Sequence, residues 1–496
     1  MHGPSSTSFS VSAVSADLNL RYLWLIAFVA ALGGLLFGYD WVVIGGAKDF
    51  YQSYFHLTTG VQIGWANSCA LMGCFAGSLA GGRLSDYFGR RPMLLLSGLL
   101  FTVSSVLTGW SYSFNAFIAW RIVGGVAIGL ASNVSPTHIA EISPAAWRGR
   151  LVSLNQLALV LGILMAQVAN WQIARNVPIG LTPEAFYATW NVQFGWRWMF
   201  TAVAIPSLIF LISIPFIPES PRWLAIHGRS RTAAEVLTRI GGTRYSSAEL
   251  GQIQASVSGS GKDVPWSRLF HRKIFKLLLV GISLAVLQQG SGINILFNYA
   301  EDIYRSAGYG MNEILFNIVI TGTINLIFTV FAMLPVDRFG RRRLMLFGCI
   351  SIGICHLGSS YSYHIHLHGV LILGLTLAAI ACYAMTLAPI TWVLIVEIFP
   401  NAYRGTAVSI SVAALWIASF VLTYTFPTLQ RLFGSSGNFL LYAAICFVGA
   451  IFVYYAVPEM TGRSLESMEA AADSSSASLS TNSVPQNAVS SYKDSL

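Results

Sequence analysis

Two charged residues, Asp40 and Arg121, lie well inside long apolar segments of the chain. A charge at the middle of a membrane helix costs about 2.5 to 3.5 kcal/mol on insertion scales, so each needs a partner or a function. Counted at about 1.5 Å per residue from the predicted outer ends of their helices, Asp40 lies about 10 Å and Arg121 about 9 Å inside. We therefore predict that they pair. Asp40 is then either a permanent structural partner of Arg121 or a carboxylate that alternates between Arg121 and a proton.

Carboxamides and indoles also occur within otherwise apolar segments. Carboxamides donate and accept hydrogen bonds, as sugar hydroxyls require, and an indole can pack on the C–H face of a sugar ring. The alternative is that these amides only join neighbouring helices. Gly290 and Gly292 should loosen the helix that carries three of the amides, so that it can bend. The candidate sugar-binding residues are Gln156, Gln288, Gln289, Asn294, Asn325, Trp392 and Trp416.

Acidic and basic residues also gather where apolar segments end, on the side predicted to be cytoplasmic. Exposed ion pairs contribute only about 0 to 1 kcal/mol each, but a network that forms and breaks together can bias an equilibrium of a few kcal/mol between two conformations. The alternative is that these charges are loop anchors that fix insertion topology. The candidate gating residues are Asp86, Arg90, Arg91, Glu141, Arg148, Glu219, Arg222, Asp337, Arg341, Glu397 and Arg404.

The composition requires a membrane to position these residues. The 496 residues are 55% hydrophobic and 10% charged, against about 25% charged in an ordinary soluble domain. Lys plus Arg number 29 and Asp plus Glu number 20, but the cations cluster in alternate short loops. That pattern is typical of membrane orientation rather than of nucleic-acid binding, and it predicts that both termini are cytoplasmic.

Crossing the hydrocarbon core takes about 20 apolar residues, and about twelve segments of that length can be counted. The first six are 22–47, 63–82, 92–110, 115–139, 151–171 and 198–217, and the second six are 274–302, 314–336, 344–361, 370–396, 406–429 and 439–457. We predict an all-α membrane protein with twelve transmembrane helices in two six-helix bundles and a cytoplasmic helical linker. The predicted divisions are an N-terminal cytoplasmic tail (1–21), a first bundle (22–217), a linker of surface helices (218–273), a second bundle (274–457) and a largely disordered C-terminal cytoplasmic tail (458–496).

Three polar motifs recur in the same order about 250 residues apart, which indicates a duplicated six-helix unit. Gly82-Arg83-Leu84-Ser85-Asp86-Tyr87-Phe88-Gly89-Arg90-Arg91 is echoed by Asp337-Arg338-Phe339-Gly340-Arg341-Arg342. Glu141-Ile142-Ser143-Pro144 with Arg148-Gly149 returns as Glu397-Ile398-Phe399-Pro400 with Arg404-Gly405. Pro218-Glu219-Ser220-Pro221-Arg222 closes the first half, as Pro458-Glu459-Met460-Thr461-Gly462-Arg463 closes the second.

These motifs resemble those of the major facilitator superfamily, and within it the sugar porter family, with the closest likeness to bacterial xylose proton symporters. The resemblance runs from about Tyr22 to Glu466. It implies the major facilitator fold and alternating access. It also implies that Asp40 is the proton-coupling group, because uncoupled facilitators commonly carry Asn there, and that the seven amides and indoles above bind sugar.

The chain departs from the family pattern at several positions. Met460-Thr461 stands in place of Thr-Lys, and Met333-Leu334-Pro335 in place of a Gly-Arg opening. Ile163 and Leu415 occupy positions where the resemblance implies glutamine, and Asn298 replaces an aromatic residue. Fewer polar side chains in the site change which sugar fits. We therefore expect a pentose and a hexose nearly equally as the substrate.

The expected function is proton-coupled symport of a monosaccharide, xylose or a hexose such as glucose, by alternating access. The alternatives are a sugar uniporter, in which Asp40 is only structural, and a non-transporting sugar sensor. The sequence shows no nucleophile with a nearby base and no pair of carboxylates at a shared depth, so we expect no enzyme activity. No cofactor is expected either. The expected partners are a monosaccharide, a proton and the lipid bilayer, without nucleic acid, and the protein should function as a monomer in a cell (inner) membrane of bacterial type.

Two further sets of residues could bind metal or form disulfides. His364, His366 and His368 alternate in a predicted outer loop, but an exposed polar loop explains them as well, and we expect no metal. The six cysteines all lie in apolar stretches and are interpreted as packing residues without disulfides, at Cys69, Cys74, Cys349, Cys355, Cys382 and Cys446.

Overall fold

The computed structural model describes residues 18–178, 180–259, 272–333, 340–367, 369–399 and 404–457, and its regular structure there is entirely helical. Eleven helical stretches of this part of the chain are long and apolar enough to cross a membrane. We number them in chain order: α1 (Leu20–Tyr54), α2 (Gly60–Phe88), α3 (Arg90–Gly109), α4 (Phe114–Ile142), α5 (Ala145–Ile173), α6 (Asn191–Phe216), α7 (Ile274–Asn298), α8 (Met311–Ala332), α9 (Arg341–His364) and α10 (Val370–Glu397), followed by Thr406–Ala456.

The last stretch contains two crossings. Its 51 residues would extend about 75 Å as one straight helix, more than twice the hydrocarbon thickness of about 30 Å. Gly434 breaks it with φ 65° and ψ −177°, a conformation that glycine adopts without strain. We call the two parts α11 (406–433) and α12 (435–456), which makes twelve crossings and confirms the predicted fold.

Two crossing helices are broken near their middle. In α7, helix ends at Gly290 and resumes at Ile293, and Gly292 has φ 83°, so the loosening predicted from these glycines is confirmed. In α10, helix breaks at Thr386, where φ is −126° and ψ is −84°. Pro389 explains that break, because it has no N–H for the carbonyl of Met385 and its ring would clash with that carbonyl. The break in α10 was not predicted.

Two predicted helix boundaries were wrong. α1 continues beyond Ala47 to Tyr54, and α6 begins at Asn191, before the predicted start at Trp198. Arg197 lies inside the longer α6, where its guanidinium donates to the carbonyls of Gly109 (2.9 Å) and Ser111 (3.0 Å) and packs on aromatic rings. A charge that finds such partners is tolerated inside a helix.

The linker contains the predicted surface helices, Pro221–Ile226 and Ser230–Gly259, the second kinked at Gly241 and Gly242. The carbonyl of Ile240 in this linker accepts a hydrogen bond (2.8 Å) from the backbone N–H of Asn19, which caps α1. The linker therefore contacts the start of the first crossing helix. The predicted disordered tail lies outside the described residues.

Glycines bring α2 and α4 into backbone contact. A Cβ added at Gly125 would lie 1.9 Å from the carbonyl oxygen of Ala70, and one added at Gly73 would lie 2.1 Å from the carbonyl oxygen of Ile122. Small residues allow this approach, and van der Waals packing is a main source of helix association in lipid. The contact fixes the position of α4, and with it the depth of Arg121.

We expect Gly125→Ala to lower the apparent melting temperature in detergent, because the added methyl group must separate α2 from α4 at a cost of about 1 to 3 kcal/mol. The matched control is Gly374→Ala in α10, where an added Cβ meets no atom within 4 Å. Thermal unfolding of the two variants by light scattering measures the difference. Equal melting temperatures would contradict the proposed backbone contact.

Candidate functional site

Asp40 and Arg121 meet in the interior, as predicted. Nη1 of Arg121 lies 3.1 Å from Oδ1 of Asp40, and the side chains are almost completely buried, with Asp40 4% and Arg121 3% exposed. The guanidinium also packs on the ring of Phe200 at 5.4 Å. Oδ2 of Asp40 has no hydrogen-bond partner among the described residues. One carboxylate oxygen is thus held by Arg121 and the other is unpaired.

Gly124 leaves room beside that unpaired oxygen. A Cβ added at Gly124 would lie 3.5 Å from Oδ2 of Asp40 and 3.1 Å from Oγ of Ser104. Gly124 lies on α4, Asp40 on α1 and Ser104 on α3, so the pair of Asp40 and Arg121 lies within the first half of the chain. The arrangement can hold a carboxylate in either protonation state, because Arg121 stabilises the ionised form and the unpaired oxygen has space for a proton.

Three of the predicted sugar-binding amides form one hydrogen-bonded cluster at the break in α7. Nδ2 of Asn294 donates to Oε1 of Gln289 (2.5 Å), and Nε2 of Gln289 donates to Oε1 of Gln288 (3.3 Å). Asn294 also donates to Oγ of Ser419 on α11 (2.5 Å), and Gln288 donates to the carbonyl of Leu387 at the α10 break (3.4 Å). The cluster therefore joins both broken helices and α11.

The other four candidates lie on α5, α8, α10 and α11. Trp416 of α11 packs on Phe37 of α1, with ring centroids 5.8 Å apart, and its indole Nε1 has no partner among the described residues. Asn325 is buried on α8, Gln156 is partly exposed on α5, and Trp392 is 37% exposed on α10. In the described part of the chain, no hydrogen bond joins these three to the amide cluster.

The positions that depart from the family pattern are also buried. Ile163 and Leu415 are both within apolar packing. Asn298 is buried at the end of α7, with its Oδ1 lacking a partner among the residues described. The side chains of Ile163 and Leu415 are apolar and cannot form the hydrogen bonds of the glutamines expected at these positions.

Arg90 is the centre of the predicted gating charges in the first half. It pairs with Glu141 (2.9 Å) and Asp86 (3.0 Å), and Glu141 also accepts from the hydroxyl of Ser220 (2.6 Å). Glu219 accepts the backbone N–H groups of Arg90 (3.0 Å) and Arg91 (3.1 Å). Burial raises the pKa of the Glu219 carboxyl, while these N–H bonds oppose that rise. The motifs thus connect the loops after α2, α4 and α6.

The remaining predicted gating residues are less connected. Arg148 donates to the carbonyls of Ala140 (3.1 Å) and Ser143 (3.5 Å), and Arg91 donates to that of Pro215 (2.6 Å). Arg222 is exposed and forms no ion pair with a described residue. In the second half, Arg341 pairs with Glu397 at 3.4 Å. Asp337 and the side chain of Arg404 lie outside the described residues.

The two halves meet closely at the opposite end, which is predicted to face outward. A Cβ added at Gly64 of α2 would lie 2.1 Å from the carbonyl oxygen of Tyr424 on α11. One added at Gly45 of α1 would lie 2.6 Å from the carbonyl oxygen of Phe297 on α7. Asn312 of α8 accepts the N–H of Val177 at 3.2 Å. This end is closed.

Ion pairs between the halves accompany that closure, and the sequence analysis missed them. Lys48 of α1 pairs with Asp302, and Asp49 pairs with Arg305, where Asp302 and Arg305 lie on a short helix, Ala300–Ser306, that follows α7. Glu301 accepts from Arg305 (3.1 Å) and from the N–H of Asp49 (3.3 Å). Burial raises the pKa of the Glu301 carboxyl, and the Lys48 ammonium opposes that rise. We call these five residues the outer charge cluster.

The sequence profile of the family described as "Sugar (and other) transporter" matches residues 26–472. The chain belongs to this sugar transporter family. It is 34% identical over 488 residues to the D-xylose-proton symporter of Escherichia coli K12, covering 92% of this chain and 97% of that protein. It is 36% identical to a glucose transport protein of Synechocystis (92% and 99% covered) and to the arabinose-proton symporter of Bacillus subtilis (92% and 96% covered).

Solved structures of the E. coli xylose transporter XylE superpose on this sugar transporter. An inward-open structure gives a TM-score of 0.80 at 34% identity, covering 90% of this chain and 99% of that one. A structure bound to 6-bromo-6-deoxy-D-glucose gives a TM-score of 0.75 at 33% identity, covering 91% of this chain and 99% of that one. The sugar transporter is therefore a multi-pass membrane protein with the major facilitator fold, in a family of transporters rather than enzymes.

The candidate metal ligands do not form a cluster in the described part of this sugar transporter. Among those residues there is no group of three or more His, Cys, Asp or Glu side chains that could hold a metal ion. His364 and His366 lie at the end of α9, and His368 lies outside the described residues. The cysteines are free.

A sequence signal for the outer charge cluster existed. Lys48-Asp49 and Glu301-Asp302 with Arg305 carry complementary charges at the ends of two predicted apolar segments, 22–47 and 274–302, on the same side of the membrane. The first predicted apolar segment ended at Ala47, one residue before Lys48. Lys48 is instead 2% exposed, inside the extended helix.

We expect Lys48→Met to shift the protein towards a conformation that is open at the outer end, because the carboxylates of the outer charge cluster lose their buried cation. Removing one partner of a fully buried pair costs about 3 to 5 kcal/mol, and the partial exposure of Asp302 (32%) reduces that cost. Even about 1.4 kcal/mol is a tenfold change in population. Distances between spin labels at Val61 and Leu432, in a background without native cysteines, should lengthen.

The matched control for that measurement is Arg231→Met. Arg231 pairs with Glu235 in the linker, but both side chains are exposed, so its removal should leave the label distances unchanged. Unchanged distances in Lys48→Met would show that the outer charge cluster does not stabilise the closed end.

Proposed function

We propose that this protein is a proton-coupled symporter of a monosaccharide, working by alternating access. The relatives named as D-xylose-proton and arabinose-proton symporters support a sugar and a proton as the two substrates. The observation that carries the proposal is the buried pair of Asp40 and Arg121, in which Oδ2 of Asp40 has no partner among the described residues. A purely structural pair would be expected to satisfy both carboxylate oxygens, because a buried unpaired acceptor costs free energy.

Proton binding at Asp40 would couple to conformation through Arg121. The ionised carboxylate needs the guanidinium in this apolar site, whereas the protonated acid does not. Protonation therefore frees α1 to move relative to α4, and loss of the proton restores the pair. One charge crossing a potential of 100 mV releases about 2.3 kcal/mol, enough for roughly a fiftyfold sugar gradient.

The sugar would bind beside the amide cluster of Gln288, Gln289 and Asn294. These carboxamides can exchange their bonds to one another for bonds to sugar hydroxyls, because each both donates and accepts. The indoles of Trp392 and Trp416 offer apolar faces for the ring, and Gln156 and Asn325 complete the proposed set. The amide cluster flanks the break in α7, and Gln288 donates to the carbonyl of Leu387 beside the break in α10. Sugar binding can therefore act directly on the parts of the helices that bend.

Alternation would move the two bundles, 22–217 and 274–457, about this site, with the linker 218–273 connecting them. In the structure the outer end is closed by contacts between the halves, while the pairs centred on Arg90 and on Arg341 each lie within one half. We propose that these charges re-pair between halves when the cytoplasmic end closes. The proposed setting is a monomer in a bacterial inner membrane, with both termini cytoplasmic.

Asp40→Asn should abolish proton-driven accumulation and leave sugar exchange intact, because the amide keeps the shape of the carboxylate but carries no titratable proton. The measurement is uptake of labelled xylose and glucose into liposomes by the purified protein, with and without an inward proton gradient. The wild type should accumulate sugar only with the gradient, and the better sugar is identified at the same time.

Gradient-independent equilibration by both wild type and Asp40→Asn would favour the runner-up function, a sugar uniporter. Binding of either sugar without transport would favour the sensor alternative, and absence of both binding and transport would favour another polyol substrate. Measuring binding beside uptake in one preparation separates these outcomes.

Gln288→Ala and Trp392→Ala should each weaken sugar binding about five- to twelvefold while leaving membrane expression unchanged, since a lost hydrogen bond or ring contact is worth about 1 to 1.5 kcal/mol. Isothermal titration of the purified variants measures the dissociation constants. The matched controls are Gln430→Ala, at the end of α11, and Trp198→Ala, which packs on Trp110 away from the site. Retained affinity in both site variants would contradict the proposed cavity.

A further inference from the structure

Gln167 of α5 has a buried side-chain amide that forms no hydrogen bond with the described residues. It is 1% exposed, and neither its Oε1 nor its Nε2 has a hydrogen-bond partner among the described residues. Most buried side-chain polar atoms in proteins have a partner, because burying an unpaired amide is unfavourable. Asn170, one turn further along α5, is paired through one atom, since its Nδ2 donates to the carbonyl of Val43 at 2.9 Å while its Oδ1 has no partner among the described residues. Both polar atoms of the Gln167 amide lack a partner there, so a ligand could supply one for each.

The amide of Gln167 reaches across to the other half of the protein. A Cβ added at Gly322 of α8 would lie 1.9 Å from Oε1 of Gln167, so only glycine leaves room for the amide there. Asn325, a candidate sugar-binding residue, lies one helical turn from Gly322 on α8. The amide therefore lies between the two bundles, at the helix that contributes Asn325 to the proposed site.

The direction of the side chain places its amide near the level of Ile163. Long side chains on a helix lean toward the helix N-terminus and cover the turn before their own Cα. Ile163 is four residues before Gln167 and on the same face. Ile163 itself packs in an apolar cluster with Val42, Ile293 and Leu296, next to the break in α7. Gln167 can thus present a carboxamide beside a wall that Ile163 leaves apolar.

We propose that Gln167 binds the transported sugar directly and determines which sugar fits. Its Oε1 would accept a hydrogen bond from one hydroxyl and its Nε2 would donate to an adjacent hydroxyl, which is the two-point recognition a carboxamide offers to a vicinal diol. A sugar bound between the amide cluster of α7 and Gln167 contacts both bundles. This inference rests on the proposed function, because it names a further residue of the same site.

The test compares Gln167→Leu with the wild type in full-length protein, using titration with xylose, glucose and the monodeoxy analogues of the better binder. Leucine keeps the approximate volume and removes the amide. We expect affinity for the parent sugar to fall about tenfold, the effect of one or two lost hydrogen bonds. For the analogue that lacks the hydroxyl bound by Gln167, wild type and variant should have equal affinity.

Stability separates this role from a structural one. If Gln167 only supported the fold, Gln167→Leu would lower the melting temperature and weaken all analogues alike. A sugar-binding amide without a protein partner predicts an equal or higher melting temperature without sugar, because leucine removes an unpaired polar group from the interior. Gln430→Leu, which changes an amide far from the site, is the matched control and should bind every analogue like the wild type.

Two further variants test the position of the amide. Gly322→Ala keeps Gln167 but displaces its amide, so it should produce the same selective loss even if Gln167→Leu does not fold. Ile163→Gln combined with Gln167→Leu returns a carboxamide to the same face of α5 and should recover part of the affinity. Failure of both variants to change selectivity would overturn the inference.

The outcomes also distinguish this inference from the proposed function. If the wild type binds xylose or glucose and Gln167→Leu binds every analogue with equal affinity, the role of Gln167 is refuted and the proposed function stands. If the wild type binds no monosaccharide at all, both are refuted together.

Discussion

The cost of an unpaired polar group in an apolar interior governs how this protein is built. In the hydrocarbon region no water is available to satisfy a backbone or side-chain group, so each one needs a partner within the protein. Asp40 and Arg121 meet this requirement through one carboxylate oxygen, across α1 and α4, and Arg197 meets it through carbonyls and aromatic rings. The depth of these residues therefore fixes the register of the helices that carry them.

The same requirement explains why amides gather at the breaks in α7 and α10. A break leaves carbonyls without helical partners, and Nε2 of His356 lies 2.8 Å from that of Ser291 in the α7 break. Gln288 donates to the carbonyl of Leu387, where helix resumes after the α10 break. The two interpretations of the amides, helix joining and sugar binding, are thus compatible. An amide that holds a break in place is already positioned to sense a ligand there.

The residues that could be predicted from the sequence were those whose signal is local. The apolar segments, the pairing of Asp40 with Arg121 and the break at Gly292 all follow from composition, depth and glycine content. The break at Thr386, the extension of α1 to Tyr54 and the outer charge cluster depend on tertiary contacts that no segment shows by itself. Gln167 was missed for the same reason, since its significance comes from Gly322 on another helix and from the lack of a partner.

The two kinds of contact at the outer end suggest how a closed state remains reversible. Backbone contacts such as that of Gly64 with Tyr424 favour closure through close packing. The outer charge cluster adds a buried cation, Lys48, and a buried carboxylate, Glu301, whose desolvation offsets much of their mutual attraction. Such a cluster specifies the alignment of α1 with the helix after α7 and contributes little net stability. Alternating access requires this balance, because the open and closed states must differ by only a few kcal/mol for a sugar and a proton to shift their populations.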